Sequence, residues 1–277
     1  MTIAVRDDVG RAVILAQAAR RIVSLVPSLT ETLFALGCAD ALVGVTRYCT
    51  EPAGAVDQIE RVGGTKNPDV RRIAELRPDL VLLNAEENRK QDFETLAQAG
   101  LTLFVSYSHR ARDVPDLLRR LGELTARLEE AAHLAIEIRN ALAAMEPARY
   151  RPRVFCPIWK NPWMSFNLDT YADDMLWCAG GENVCRNRAP RYVEVTLEEM
   201  AAEMPEVILL PDEPYVFSEK DLSALAALHS TPAYQRGRVH FIDGKALSWY
   251  GPRTAPALHY LRERIAASAR TQATKLP

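Results

Sequence analysis

Short apolar runs of four or five residues recur along the chain, each followed by a stretch whose apolar positions return every three or four residues. This alternation predicts an α/β fold. In the first half it places strands near Ile22–Leu25, Leu42–Val45, Leu80–Leu83 and Thr102–Val105. Between them, Ser28-Leu-Thr-Glu31 reads as a capping box, the serine serving free backbone N–H groups and Glu31 reaching back, with Gly37 as the stop. A second helix is expected from about Arg89 to Gln98, ending at Gly100.

Residues 113–145 change the rhythm. Val114, Leu117, Leu118, Leu121, Leu124, Leu128, Ala131, Ala135, Ile138, Leu142 and Met145 keep a helical spacing, and Pro147 and Pro152 close the run. A single helix of that length is about 50 Å long, enough to bridge two lobes. The alternative is a break near Gly122, where glycine costs only ~1 kcal/mol. Beyond the run the α/β pattern restarts. Arg71-Arg-Ile-Ala-Glu-Leu-Arg-Pro78-Asp-Leu-Val-Leu-Leu83 aligns without gaps on Glu198-Glu-Met-Ala-Ala-Glu-Met-Pro205-Glu-Val-Ile-Leu-Leu210, 127 residues later. The expected architecture is therefore two α/β lobes, residues 1–112 and 147–277, bridged by one long backbone helix over 113–146, with a ligand cleft between the lobes.

Composition narrows the function. The 277 residues carry 34 Lys+Arg and 36 Asp+Glu, a net charge of −2, with no long run of one sign, which argues against nucleic acid as a partner. No stretch reaches the ~18 uninterrupted apolar residues of a membrane span, so no direct membrane insertion is expected. Five cysteines without a C-x-x-C pair suit neither a disulfide framework nor a zinc site. Asp7, Asp8 and Gly10 stand where a signal peptide needs an apolar core, which reads as cytoplasmic. The periplasm is the alternative if a signal has been removed.

Ligands of open α/β sheets collect at the carboxyl ends of the strands. Those ends carry Tyr48, Glu86, Glu87 and Asn88 in the first half. In the second they carry Trp159, Asn161, Trp163, Glu213, Tyr215, Trp249, Tyr250 and Arg253, with Tyr192 on a further loop. Such an accumulation of aromatics on loops either plugs the core beneath or meets a ligand. Trp177, within a helical run, is expected in the core. Glu86 and Glu213 coincide under the repeat and can face one another across a cleft. No dinucleotide, Walker, nucleophile-elbow or H-x-x-x-H motif is present, so no catalytic residue, metal site or resident cofactor is expected.

Arg21-Ile-Val-Ser-Leu-Val-Pro-Ser-Leu-Thr-Glu31, Leu36-Gly37, Val43-Gly-Val45, Arg77-Pro-Asp-Leu-Val81, Cys178-Ala-Gly-Gly-Glu-Asn-Val184 and Gly251-Pro-Arg253 occur in an order and spacing that resembles the substrate-binding proteins of ABC importers for cobalamin and iron-siderophores. The resemblance runs from about residue 20 to 265. It implies two α/β lobes on a backbone helix, with ligand between them. It is strongest to the cobalamin-binding branch, where Tyr48 falls on a corrinoid-contacting tyrosine and Tyr192 on a tryptophan. Thr65 and Asn84 replace two pocket tryptophans, and Lys245 and Trp249 replace an acidic and a basic contact. Family members dock on the permease through one glutamate per lobe. Those places hold Arg71 and Glu198, so docking through Glu198 is weakened by a cation at Arg71.

These readings converge on a binder of a corrinoid-like or other metal-chelate small molecule. Tyr48 and the Glu86–Asn88 loop are expected on one side of the ligand. Trp159, Trp163, Tyr192 and Trp249 are expected on the other, with Lys66, Asn67, Asn161 and Arg253 at its polar substituents. Two alternatives stand beside this reading. One is a periplasmic importer subunit; the other is a tetrapyrrole chelatase with His109 and Glu86 or Glu213 as its base.

Overall fold

The computed structural model describes residues 2–145 and 149–266. They form two compact units. Unit 1 comprises Met1–Ser108, Arg112–Arg139 and Trp249–Pro252; unit 2 comprises His109–Ala111, Asn140–Ser248 and Arg253–Pro277. This differs from a contiguous division at 112 and 147. The helical stretch through Arg139 goes with unit 1, and so does a short return segment late in the chain.

Unit 1 opens with an antiparallel hairpin, β1 (Ile3–Arg6) and β2 (Ala12–Leu15). Its turn is built on Asp7, whose carboxylate accepts the N–H groups of Val9 and Arg11 and pairs with the Arg11 guanidinium at 2.6 Å. Asp8 pairs with Arg120 at 2.5 Å. The acidic residues that interrupt the apolar character of the N-terminus are thus turn and anchoring chemistry. There follow β3 (Ile22–Ser24), α1 (Pro27–Ala35), β4 (Leu42–Val45), a two-residue hairpin of β5 (Gly63–Gly64) and β6 (Asn67–Pro68), α2 (Val70–Glu75), β7 (Leu80–Asn84), α3 (Lys90–Gln98), β8 (Leu103–Ser106), α4 (Val114–Thr125) and α5 (Leu128–Ala144), whose residues through Arg139 belong to this unit. The main sheet is parallel, in the order β4–β3–β7–β8. Val23, Leu25, Val62, Ile73, Val81, Leu83 and Leu96 are buried together in its core. Each such side chain contributes roughly 1.5–3 kcal/mol through burial.

Two local expectations need correction. The Ser28 capping box does not form. Helix α1 begins two residues earlier, with Val26 as an N-cap whose side chain makes no hydrogen bond and Pro27 at the first turn, where a missing N–H costs nothing. Ser28 is already inside the helix, and its hydroxyl is buried without a hydrogen-bond partner. The Gly37 stop does form, with φ 70° and a bond from the Cys38 N–H to the Leu33 carbonyl.

The single helix over 113–146 is also corrected: it is two helices, α4 and α5, separated at Ala126 and Arg127. The break lies beyond Gly122, at Ala126, which takes the left-handed conformation with φ 56°. What compensates that strain sits one turn back. The Arg127 N–H bonds to the Gly122 carbonyl at 2.8 Å, and the Ala19 N–H takes the otherwise orphaned Leu124 carbonyl at 2.8 Å. A Cβ on Gly122 would lie 2.7 Å from Ala131 Cβ and 2.8 Å from the Arg127 carbonyl oxygen, so the tight turn needs glycine there. Leu128, counted in the stripe, is exposed. Pro147 falls outside the described residues.

Unit 2 contains β9 (Arg153–Phe155), β10 (Met164–Phe166), α6 (Tyr171–Cys178), β11 (Glu182–Asn183), β12 (Tyr192–Glu194), α7 (Leu197–Ala202), β13 (Val207–Pro211), α8 (Pro232–Gln235), β14 (Val239–Ile242), α9 (Lys245–Ser248) and α10 (Thr254–Ala266). A 3₁₀ segment spans Glu219–Leu228. Its parallel sheet runs β11–β9–β13–β14. In each unit, therefore, the second strand in chain order lies at the edge beside the first, and the third and fourth follow on the other side. The repeat holds residue by residue: α2 and α7, β7 and β13, and the left-handed residues Arg77 (φ 46°) and Met204 (φ 49°) are all offset by 127.

Trp177 is not in the core. It is half-buried between two guanidinium groups, Arg151 at 3.8 Å and Arg186 at 4.0 Å from its ring. On β14, His240 is buried and its Nε2 has no hydrogen-bond partner. Burial, with the charges of Arg264 and Arg238, lowers its pKa to about 4.

Candidate functional site

In unit 1 the carboxyl-end loops are organised by two buried asparagines. Asn88 donates to the Leu25 carbonyl (3.3 Å) and the Thr65 carbonyl (2.9 Å) and accepts from the Asn84 N–H (2.8 Å). It thereby ties the loops after β3, β5 and β7 to one another. Asn84 Oδ1 accepts the N–H groups of Glu86 (2.7 Å) and Glu87 (3.0 Å), folding that loop into an Asx turn. The Asn84 amide also donates to Tyr250, whose hydroxyl lies 2.7 Å from Ser106 Oγ. Asn88, Asn84 and Tyr250 are all buried, and Trp249 is only 8% exposed. Their side chains build the edge of the unit. Gly251 closes the return segment at φ 127°, where a Cβ would lie 2.3 Å from Thr32 Oγ1.

Above this frame sit the exposed groups of unit 1. Tyr48 is 55% exposed and packs over Gly64, whose missing side chain also leaves room for Asn67 Oδ1. Lys66 Nζ donates to the Glu86 carbonyl at 2.5 Å. Cys49, beneath Tyr48, is fully buried; burial raises its pKa, and it hydrogen-bonds Thr30 (3.1 Å) and Thr46 (3.2 Å). The charged crevice beside the N-terminal hairpin, about 500 Å³, is lined by Asp8, Asp116, Arg119 and Arg120, which neutralise one another.

Unit 2 carries the aromatic residues in one connected group. Beyond β9 the chain turns back through a narrow hairpin in which the Met164 N–H bonds to the Trp159 carbonyl and the Ile158 N–H to the Met164 carbonyl. Asn161 supplies the left-handed residue of that turn, at φ 61°. Trp159, 43% exposed, meets Tyr215 edge-on with centroids 5.9 Å apart. Tyr215 leans on Phe217 at 4.6 Å, and Phe217 stacks on Trp163 at 5.9 Å, 8° from parallel. The four rings thus form a shelf that is wet at Trp159 and rooted in the core at Phe217. Tyr192 stands opposite Phe166 in the β10–β12 ladder and is 42% exposed.

The remaining candidates of unit 2 lie apart in role. Glu213 accepts the Ser248 hydroxyl at 2.7 Å, and Arg253 lies 3.7 Å from Asp243. His109 Nδ1 lies 3.0 Å from Asp169, a carboxylate the sequence did not single out. Cys156 is fully buried, which pushes its thiol far above the ordinary range. Sequence reasoning missed Asp221, which holds Lys160 at 2.7 Å and the Tyr215 hydroxyl at 3.1 Å. The signal was there: Ser218-Glu-Lys-Asp221 is a capping box, which the structure forms. Among the described residues no group of three or more His, Cys, Asp or Glu side chains is placed to hold a metal ion, and no helix is long and apolar enough to cross a membrane.

The vitamin B12-binding protein of Yersinia pestis (strain Pestoides F) is 29% identical over 198 residues, 70% of each chain. The periplasmic vitamin B12 binding protein BtuF of Vibrio cholerae has the same fold, with a TM-score of 0.79 over 92% of this chain and 99% of its own at 24% identity. The periplasmic heme-binding protein BhuT, in complex with two hemes, gives a TM-score of 0.77 at 28% identity, covering 90% and 98%. These are binding proteins, not enzymes, and the two solved structures are of periplasmic proteins. The family model for periplasmic binding proteins matches residues 22–246, most of the chain and the main sheets of both units. This chain belongs to the periplasmic binding protein family.

Proposed function

We propose that this protein captures a flat metal chelate, a corrinoid or a haem, as cargo rather than as a resident cofactor. The observation that carries the reading is the shelf of Trp159, Tyr215, Phe217 and Trp163 at the carboxyl end of a parallel sheet. A macrocycle offers a π-face to such rings, and each good contact contributes about 0.5–1.5 kcal/mol beyond buried area. Each unit offers further candidates of its own: Tyr48 and Lys66 are an exposed ring and a cation in unit 1, and Tyr192, Asn161 and Arg253 are aromatic and polar groups in unit 2. The relatives named for vitamin B12 and heme favour this ligand class. Their compartment favours the periplasm as the place of work.

Delivery to a membrane importer is the corresponding biological role. The equivalence of α2 and α7 supports it in part, since Arg71 and Glu198 occupy the same helical position in the repeat. Arg71 pairs with Glu75 at 3.1 Å, so unit 1 presents a cation where unit 2 presents a carboxylate. Docking then leans on Glu198.

Titration with cyanocobalamin and with hemin, followed by tryptophan quenching and the visible spectrum, tests the reading. Saturable binding that weakens about tenfold or more in Trp159→Ala supports it. Absence of binding to both compounds refutes it.

A further inference from the structure

Asp221 is 5% exposed, yet its carboxylate meets four donors. Lys160 Nζ (2.7 Å) and the Tyr215 hydroxyl (3.1 Å) reach Oδ1; the backbone N–H (3.0 Å) and hydroxyl (3.2 Å) of Ser218 reach Oδ2. The Ser218 contacts are local, the reciprocal cap of the 3₁₀ segment Glu219–Leu228. The other two are not. Lys160 belongs to the hairpin that carries Trp159, and Tyr215 is the ring against which Trp159 rests.

A helix cap alone does not require that geometry. A carboxylate at an ordinary N3 position lies in water and uses one oxygen. Here the group is buried, where an uncompensated charge is costly, so the countercharge of Lys160 and the Tyr215 hydroxyl become part of its stability. Burial pulls the pKa of Asp221 up, but the hydrogen bonds from Lys160, Ser218 and Tyr215 outweigh it and hold the carboxyl below its usual range. Trp159 in turn has few restraints of its own: it is 43% exposed on a narrow hairpin, with Tyr215 as its ring partner.

We propose that Asp221 is the positioning residue of the aromatic shelf: by tying Lys160 and Tyr215 to one rigid cap, it fixes the Trp159 ring in place before any ligand arrives. Ordering a mobile side chain on binding is a direct loss of affinity, and a ring held in advance avoids it. Asp221 touches ligand only through these rings, so its effect on binding rests on their being the ligand surface, as proposed above.

Fluorine NMR of the full chain labelled with 5-fluorotryptophan tests this without ligand. Four tryptophans give four resonances, and Trp159→Phe assigns one of them. Asp221→Asn keeps the shape but removes the charge. Lys160→Met and Tyr215→Phe each remove one tie, leave the Ser218 cap intact, and carry the test should Asp221→Asn not fold. The Trp159 resonance is expected to broaden or double in all three variants while those of Trp177 and Trp249 stay fixed. Hemin affinity, read at the Soret band, is expected to fall roughly 5- to 30-fold in Asp221→Asn and less in Tyr215→Phe. A Trp159 line that broadens or doubles in Lys160→Met and Tyr215→Phe upholds the positioning role, whatever hemin does. A single sharp line, moved or unmoved, overturns it, since a substitution beside the ring shifts its line without freeing the ring. If Trp159→Ala then binds hemin and cyanocobalamin as the wild type does, it is the shelf as the ligand surface that falls; if the wild type binds neither, it is the chelate-binding reading.

Discussion

Replacing Gly122 by alanine sets two effects of opposite sign against each other. Helix propensity favours the change, since alanine in a helix interior is about 1 kcal/mol better than glycine. Packing opposes it. The new Cβ would lie 2.7 Å from Ala131 Cβ and 2.8 Å from the Arg127 carbonyl oxygen, closer than such atoms approach in real structures. One of those neighbours is backbone in the turn that joins α4 to α5, and the same residue supplies the 2.8 Å bond from its N–H to the Gly122 carbonyl. Relieving the contact therefore stretches that bond or shifts the start of α5. Overpacking of this kind costs about 1–3 kcal/mol. The net expectation is a loss of up to ~2 kcal/mol despite the propensity gain. Thermal unfolding and urea denaturation followed by circular dichroism measure it, with Tm expected to fall by roughly 2–6 °C. Adding Ala131→Gly to the variant removes one of the two clashes and should recover part of the loss, although glycine is itself a poor helix former. A Gly122→Ala protein more stable than wild type would show that the close approach of α4 and α5 is not a constraint.

Three further outcomes follow from other parts of the fold. His240 has its pKa lowered from 6.5 to about 4, so between those values the unfolded chain holds a proton that the folded chain refuses. Its contribution is fully present above about pH 6.5 and lost as pH falls toward 4, by up to ~3 kcal/mol; His240→Phe should flatten the dependence of the urea midpoint over that window. Asn88→Ala strips three hydrogen bonds from the loops of unit 1 and should cost about 2–3 kcal/mol, with faster amide hydrogen exchange confined to residues 84–88 and the neighbouring loops. All five cysteines are free thiols, four of them buried, and burial raises Cys178 to about 12. A thiol reagent at pH 8 should label almost none in the native protein and five after unfolding; rapid native labelling of Cys49 or Cys156 would contradict the packing.

Much of the frame was legible in the residues. The predicted strands of the sheets and the Gly37 and Gly100 stops lie where local pattern and glycine chemistry put them. The helix break was not legible, for a geometric reason. Leu124 and Ala131, on either side of it, are seven residues apart, two helical turns, so the apolar rhythm passes through the break unchanged. Ala126 gave no warning either, because its left-handed conformation is imposed by contacts at Gly122 and by Ala19, distant in sequence. Among the candidate ligand residues, the rings of Tyr48, Trp159 and Tyr192 are exposed. Asn88 and Tyr250 are buried in the edge of unit 1. A polar residue at a strand end reads the same in sequence whether it faces water or ties loops together, and burial separates the two. Ser28 illustrates the competition between signals, since proline at the helix start displaced a serine cap.

The match between Val70–Asn84 and Leu197–Pro211 has a consequence for how the chain reaches its native state. Two stretches with one backbone shape, down to the left-handed residue before each proline, are each other's competitors for a place between the same kinds of neighbouring strands. Topology alone does not tell β7 from β13. The discrimination has to come from side chains at the strand ends. Asn84 brings an amide that holds its own loop and donates its N–H to Asn88, whereas Pro211 has no N–H to give and no amide to fold the Glu86–Asn88 loop. A chain built twice on one plan must carry its own proofreading, and those two residues are one place where the two copies are spelled differently.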